Sequence, residues 1–411
     1  MSTQSNKHIA IIGAGAAGLL AAGTSLIQGA QVTVFEHKNK AGRKLMITGK
    51  GRCNVTNNSP PMEFLQSVVS NSSFLYSAIF TFSPEDTISL IENHGTPLKT
   101  ERGKRVFPVS DLAGDVLSAL LRYARGAKYV HEHVTQITFD ESNQPTVHTD
   151  LNKYSFDAVI LATGGASYPK TGSDGTGYDI AKKLGHTITP LQASLVPLVT
   201  EGSECGEMQG LSLKNIGISI TQADGKSIYN DFGELLFTHF GVSGPTILSA
   251  SSHLKTDNLS GYTLHIDMKP ALSDIELDLR LLSDFQKYQN RELSNALNDL
   301  LPQKMIGVFI NKTQISPRKK INSLTKAERL IILRTLKDFT IKISGRRPID
   351  EAIITRGGVS TKEINPKTME SKIHPNLFFA GEIIDVDAYT GGFNLQIAFS
   401  TGYLAGLHAS Q

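Results

Sequence analysis

Gly13-Ala14-Gly15-Ala16-Ala17-Gly18 is a GxGxxG run, and Glu36 stands eighteen residues past its last glycine. The apolar HIAII precedes the run, a helical pattern ending near Gly29 follows it, and QVTVF leads into the glutamate. A strand–turn–helix–strand unit of this kind is built to hold a dinucleotide. Gly13 permits the tight turn, Gly15 lets backbone approach a pyrophosphate, and Gly18 lets helix and strand pack closely. The N–H groups around Ala16 and Ala17 open a helix whose positive end favours phosphate. Glu36, with His37 beside it, is placed to accept from ribose hydroxyls, and its charge would repel a 2′-phosphate. An ordinary glycine-rich turn would satisfy the glycines alone. It would not explain the two strands, the helix and the acid together.

The elements around this unit come in blocks. Residues 84–125 read as helix in two pieces, opened by Ser83-Pro84. Residues 128–161 alternate like strands and end in the fully apolar AVILA. From 191 to 272 short β-like runs dominate, and from Ser273 to Phe339 the pattern is helical. Ser273–Glu276 and Thr325–Glu328 both match the capping box. Short strands and glycines return after Pro348, and a last helix is expected near Leu395–His408.

At 411 residues, two or three domains are expected. A composition 40% hydrophobic and 19% charged is that of a globular protein rather than a disordered one. The net charge of +3 permits an anionic partner without requiring one. Two distant cysteines, Cys53 and Cys205, form no CxxC or Cys/His cluster, so neither a disulfide framework nor a metal site is expected. The thiols suit a reducing cytoplasm. The glycine-broken run at 8–22 reads as strand, turn and helix rather than a signal peptide, and no 18-residue apolar segment suggests a membrane partner.

Two later segments select the dinucleotide. AVILATGG at 158–165 and LFFAGE at 377–382 each end an apolar strand in a small-residue turn. The chain thus returns twice to the nucleotide unit, the second time from more than 200 residues away. NAD needs no such return. FAD, with its ribityl arm and three-ring head, does. Ala162, Thr163, Gly164, Gly165, Gly381 and Glu382 therefore join the cofactor set.

AGRKLMITGKGRCNVTN (41–57), KRVFPVS (104–110), LATGGASYPKTGS (161–173), LLFTHFGVSGP (235–245), RGGVSTKEINPKTMESK (356–372) and LFFAGEIIDVDAYTGGFNLQIAFSTG (377–402) run through the chain in order. With them the sequence resembles the BaiN/RdsA family of FAD-dependent oxidoreductases, the aminoacetone oxidase-like flavoproteins, which have a glutathione-reductase-type FAD fold. Ser173–Gly177 departs from the family's order of Thr, Gly and Asp.

The resemblance implies an α/β Rossmann-like FAD-binding domain of the GR2 type, formed by residues 1–190 and 349–411. A β-rich insert domain (191–272 plus 340–348) interrupts it and carries a helical subdomain (273–339). The 41–57 loop would run along the pyrophosphate toward the flavin. Gly42 and Gly49 allow close approach, Arg43, Lys44 and Arg52 supply charge, and Thr48 and Asn54 meet the ribityl chain; a solvated basic turn is the plainer reading. Gly391, Gly392, Asn394, Leu395 and Gln396 would place a helix N-terminus at the flavin's pyrimidine edge, where reduced flavin is negative. The same resemblance sets Glu382 at the ribityl or phosphate region and Val134 beside adenine, although a core valine fits Val134 as well.

Flavin supplies redox chemistry, and the protein supplies orientation and proton transfer. Cys53 is a candidate proton donor or a small packing residue, and His239 a candidate acid or a structural histidine. Arg105 and Tyr389 are further pocket candidates. GSDGTG at 172–177 follows no strand, so a dedicated nicotinamide domain is not expected and NAD(P)H would act as a transient co-substrate. The leading expectation is NAD(P)H-driven reduction of a conjugated C=C bond, with uridine in ribosomal RNA or a small enone as substrate. The alternatives are a flavin oxidase of a small amine such as aminoacetone, making hydrogen peroxide, and a non-catalytic flavin-binding protein. Arg318-Lys319-Lys320 and Arg346-Arg347 are the basic runs that could meet RNA. Nothing in the sequence demands an oligomer, and a monomer is compatible with it.

Overall fold

The computed structural model describes residues 7–254, 256 and 258–411. Its chain forms two compact units: residues up to Ser194 together with Pro348–Gln411, and Leu195–Arg347. Each has its own buried apolar cluster.

In the first unit five parallel strands lie in the order 377–379, 158–161, 8–12, 31–35, 128–130. Ile9, Ile11 and Val34 are fully buried, as strands covered on both faces must be. Helix Ala16–Ile27 follows the first strand and stops where Gly29 takes a left-handed φ of 90°. Across it lies helix Phe393–Ala409. Their backbones meet without intervening side chains: a Cβ at Gly402 would stand 2.4 Å from the Ala17 carbonyl oxygen, and one at Gly406 2.5 Å from that of Ala21. Ser25 Oγ donates to the Gly406 carbonyl at 3.1 Å. The two distant segments therefore build one core.

The 84–125 region is helical only at its ends, over Pro84–Asn93 and Ala113–Tyr123. Between them Leu98–Glu101 and Arg105–Pro108 pair antiparallel around a turn at Gly103. The two helical pieces expected there are present, and Pro97, Gly103 and the β-formers Val106 and Phe107 make the stretch between them a hairpin.

The second unit holds a closed six-stranded barrel, in the order 198–200, 241–243, 227–238, 212–221, 263–267, 339–346. Ile216, Ile218 and Ile220 alternate into its interior. Helices Asp274–Lys287, Gln303–Thr313 and Lys326–Lys337 pack within the same unit. Both expected capping boxes form: Ser273 and Thr325 accept from the N–H groups of Glu276 and Glu328, whose carboxylates reach back. Burial alternation is visible in the sequence, but closure into a barrel depends on pairings over more than 100 residues and is not.

Candidate cofactor site

Loops that leave the carboxyl ends of the parallel strands come together at one edge of the sheet, the edge where open α/β sheets bind ligands. Gly13–Gly18 follows strand 8–12, Glu36 and His37 follow strand 31–35, Ala162–Gly165 follows strand 158–161, and Gly381–Glu382 follows strand 377–379. The three fingerprint glycines differ as their roles require. A Cβ at Gly13 would lie 2.6 Å from the Ala162 carbonyl oxygen and one at Gly18 1.9 Å from that of Gly13, whereas at Gly15 it would meet nothing within 4 Å. Gly13 and Gly18 are held by packing, and Gly15 faces open space. Glu36 bridges the same turn, accepting from Ala14 N at 3.1 Å and Lys38 N at 2.9 Å.

Three buried polar atoms around this edge have no hydrogen-bond partner: His37 Nε2, Asn54 Oδ1 and Thr163 Oγ1. Such groups cost stability unless something completes them. Burial also pushes the His37 imidazole below its ordinary pKa, despite the adjacent Glu36. Together with the room at Gly15, these atoms fit a polyhydroxylated nucleotide.

The 41–57 loop joins both ends of the site. At its start Gly42 N donates to the Ala14 carbonyl at 2.9 Å. At its end Thr56 Oγ1 donates to Gln396 Oε1 at 2.6 Å, and Asn57 Nδ2 to the Gly391 carbonyl at 3.1 Å. Between these anchors Gly49, Lys50, Gly51 and Cys53 all have positive φ, between 56° and 86°. Lys50 and Cys53 hold that conformation at a cost, which clusters where a chain is shaped for a ligand.

Several side chains are engaged differently from the sequence expectation. Lys44 Nζ binds Glu382 Oε2 at 2.6 Å and Ser167 Oγ at 2.7 Å, because two neighbouring acceptors answer its charge inside the protein. Glu382 Oε1 in turn accepts from Thr355 N at 2.8 Å and Ser167 Oγ at 3.0 Å. Arg52 pairs with Glu101 at 2.5 Å and Asp111 at 2.6 Å and lies 4.2 Å from the Phe107 ring, so two carboxylates saturate it. Arg43, half-buried, and Lys50, exposed, have no carboxylate partner among the described residues, which leaves them as the loop's available cations. Thr48 donates to the Leu45 carbonyl at 2.7 Å.

Helix Phe393–Ala409 begins after Gly391 and Gly392, both left-handed; a Cβ at Gly392 would strike the Thr56 carbonyl at 2.3 Å. Asn394 clamps the preceding turn, accepting from Ala388 N and donating to the Ala388 and Tyr389 carbonyls. Gln396, fully buried, also donates to the Phe82 carbonyl and to Ser400. Those side chains hold the helix start in place. What the start offers outward is its first-turn N–H groups, including that of the half-buried Leu395.

Cys53 exposes no surface, and burial pushes its thiol up to about 12, so it stays protonated. His239 lies exposed in the turn between barrel strands 227–238 and 241–243, its ring 4.9 Å from Phe240. Val134 is a buried strand-end residue paired with Thr149. Arg105 donates to the Arg102 carbonyl, and Tyr389 N to the Ser67 carbonyl. Sequence reasoning missed Ser167, Thr355 and Asp387. Asp387 is fully buried, with Oδ2 accepting from Ser194 Oγ at 2.9 Å and Oδ1 unpartnered, and burial raises its carboxyl pKa. An acid inside the apolar-flanked DVDAY was the available signal.

The family profile described as the HI0933-like protein Rossmann domain matches residues 7–408. The chain belongs to the HI0933-like family. As a member it is an FAD-dependent oxidoreductase with a Rossmann-type FAD-binding domain. It is 29% identical to a 3-dehydro-bile acid Δ(4,6)-reductase of Clostridium scindens, over 98% of this chain and 99% of the relative. It is 30% identical to a ribosomal RNA dihydrouridine synthase of Escherichia coli, over 96% of this chain and 95% of the relative. The fold is shared with a 3-ketosteroid-Δ4-(5α)-dehydrogenase of Rhodococcus jostii, at a TM-score of 0.51 and 14% identity over 100% of this chain and 98% of the other. No helix among the described residues is long and apolar enough to cross a membrane.

Proposed function

We propose that this HI0933-like protein reduces a carbon–carbon double bond conjugated to a carbonyl, with electrons from NAD(P)H passing through FAD, in the cytoplasm. One observation carries the reading. The bile-acid reductase and the RNA enzyme each match almost the whole chain, and their activities share one chemistry. Double bonds at positions 4 and 6 beside a 3-oxo group are conjugated to it, and the 5,6 bond of uridine is conjugated to its 4-carbonyl. At the 4,5 bond and in uridine alike, hydride adds to the carbon β to the carbonyl and a proton to the α carbon; at the 6,7 bond the same conjugation carries hydride to the δ carbon.

FAD, when bound, accepts two electrons from the nicotinamide and delivers them as hydride. Gly15 and Arg43 would hold its diphosphate, on the turn that Gly13 and Gly18 shape, and Glu36 its adenosine ribose. Asn54, Thr163 and the Glu382 cluster would complete the ribityl hydroxyls. The first turn of helix 393–409 would stabilise negative charge at the pyrimidine edge. His239 is assigned the proton, since Cys53 is held neutral inside the core and reads as a packing residue. Of the two substrate classes, uridine in ribosomal RNA is the preferred one, on the identity to the RNA enzyme.

Anaerobic mixing of the flavin-loaded protein with NADPH and NADH tests the electron path. Loss of the visible flavin absorbance with either, and its return on adding an enone or a uridine-containing RNA, is the expected result. Bleaching by aminoacetone but by neither nicotinamide would replace the proposal with the oxidase, and no bleaching by any of them with a non-catalytic flavoprotein. His239→Gln should slow the return of absorbance by about a hundredfold or more while leaving the NAD(P)H step unchanged, the usual range for general acid catalysis.

A further inference from the structure

The chain carries a single strand–GxGxxG–helix unit, and the cofactor site uses it. NAD(P)H, the hydride donor proposed above, therefore has no nucleotide domain of its own to dock on. Its diphosphate is anionic and calls for cations close to the flavin. A hairpin in the same unit offers them. Strands 98–101 and 105–108 pair so that Glu101 faces Arg105 and Lys99 faces Phe107. On the other side of 105–108, Asn57 faces Arg105. Directly opposed residues of an antiparallel ladder share a face, so Lys99, Glu101, Arg105, Phe107 and Asn57 stand together. Side-chain contacts agree. Arg52 reaches Glu101 and lies over the Phe107 ring, and the Arg105 guanidinium lies 5.9 Å from the same ring.

That face meets the cofactor site at two points. Asn57 donates to the Gly391 carbonyl at the start of helix 393–409, and a Cβ at Gly49 would stand 3.5 Å from the Phe107 ring. Arg105 neighbours both residues on the ladder. Charge on the face does not balance, since Arg52, Lys99 and Arg105 meet only Glu101 and Asp111. Arg52 binds both carboxylates, at 2.5 and 2.6 Å, and Lys99 binds Asp111 at 2.9 Å. At the hairpin tip Lys104 pairs with Glu63 at 2.6 Å. Arg105 is left over. Its Nε donates to the Arg102 carbonyl at 3.0 Å, which anchors the guanidinium and leaves its Nη groups for another acceptor. Arg102 and Arg105 are both exposed, with no carboxylate in ion-pair distance among the described residues. Exposed arginines are commonly just solvated. Arg105 differs in being anchored, and in standing where the 41–57 loop and the helix start come together.

We infer that Arg105, with Arg102 beside it, is the docking point for the diphosphate of NAD(P)H. The inference rests on the electron path proposed above and supplies the coenzyme site that path lacks. A guanidinium presents its N–H groups as a planar fork, which matches a pair of phosphate oxygens. Neither arginine belongs to the FAD set, so both can be replaced without touching the flavin.

The test compares the flavin-loaded full chain with its double variant Arg102→Gln, Arg105→Gln. Anaerobic rapid mixing with NADH or NADPH follows flavin bleaching, and N-benzyl dihydronicotinamide serves as a hydride donor without phosphate. In the variant, the coenzyme concentration giving half the limiting rate should rise at least about tenfold, the scale of a lost charge-assisted bond. In the wild type that concentration should climb with salt, as exposed ion contacts weaken, and in the variant it should climb less. Bleaching by the benzyl compound should match the wild type, which reports that the flavin pocket is intact. Calorimetric titration with inorganic pyrophosphate reads the same site without turnover, and the variant should bind it at least about tenfold more weakly. Unchanged coenzyme dependence and pyrophosphate binding would overturn the docking point while leaving the electron path in place. Equal slowing of the benzyl compound would overturn it too, making the hairpin a support of the flavin pocket. A wild type bleached by the benzyl compound but by neither coenzyme would remove the electron path, and the coenzyme as occupant with it. Pyrophosphate binding lost in the variant would then assign the arginines to a phosphate of the RNA substrate.

Discussion

The unit that gathers the cofactor loops and the unit that holds the barrel both bury polar atoms without hydrogen-bond partners, and they differ in where those atoms lie. In the barrel unit the ends of helices 274–287 and 326–337 are closed by reciprocal side-chain bonds, and Glu328 is held down to about 2 by Lys319 and the Thr325 N–H. In the cofactor unit His37, Asn54 and Thr163 each bury an atom with no partner, and the 49–53 loop carries two strained non-glycine residues. Both units are equally well buried at their cores. The difference therefore lies in purpose rather than quality. In the barrel unit Thr200 Oγ1 and Thr238 Oγ1 are unpartnered on strands, whereas His37, Asn54 and Thr163 lie in loops, where a ligand can complete them.

Substitutions at the fingerprint glycines strike this contrast hardest. Gly18→Leu drives a side chain into the Gly13 carbonyl and should abolish flavin retention, giving colourless protein with apparent affinity down by about a hundredfold or more. Gly15→Ala should leave the unfolding midpoint of the flavin-free protein unchanged while still weakening flavin binding, because its Cβ meets no protein atom. If flavin-free Gly15→Ala instead melts early, the open space is not what it is taken to be.

The Lys44–Glu382 pair is next. Both side chains are about one-fifth exposed, so Glu382→Gln, which keeps the shape but removes the charge, should cost about 1–3 kcal/mol in urea unfolding. The double variant with Lys44→Met should recover part of that loss. Simple additivity would show that the pair contributes no coupling.

Cys53 gives a pH signature. Its native thiol holds the proton to about 12, against an ordinary value of 9.0 that the unfolded chain should show. Below pH 9 the two states bind the same proton and nothing is lost. Above it the unfolded state ionises first, so stability falls from about pH 9 to about pH 12. Relative to Cys53→Ala, the wild type should lose about 1.4 kcal/mol more between pH 8 and pH 10. Equal losses would mean the thiol reaches water.

The smallest effect belongs to the barrel unit. Thr325→Ala removes one cap and should cost about 1 kcal/mol, with flavin content and spectrum unaltered. Loss of flavin in that variant would couple the two units more tightly than the contrast allows.

How far this was legible beforehand follows the range of each signal. The GxGxxG turn, Glu36 and the capping boxes are local patterns, and local patterns survive folding. The two helical pieces expected in 84–125 are present, but the hairpin between them at 98–108 was not foreseen, because a proline, a glycine and two β-formers there carry no helical or strand period of their own. Lys44, Arg52, Asn394 and Gln396 were placed in the right segments, yet their side chains bond to Glu382, to Asp111, to Ala388 and to Thr56. Glu382, Asp111 and Thr56 are far in sequence from their partners, so spacing could not reveal them, and Ala388 is reached through its backbone, which carries no sequence signal. Unpartnered atoms such as Asn54 Oδ1 are the extreme case, since an absence of bonds has no sequence signature at all.

The glycine seam between helices 16–27 and 393–409 fixes an order of events during synthesis. Nearly four hundred residues are polymerised before the first helix meets the surface it packs on, whereas 195–347 is a continuous stretch that has emerged by then. Nascent chains stalled before Phe393 should therefore resist trypsin across the barrel segment and remain cleavable across the first 190 residues. Coenzyme capture thus waits for translation to be nearly over, and a ribosome that stops short releases a chain whose barrel is sound and whose coenzyme-binding half is not.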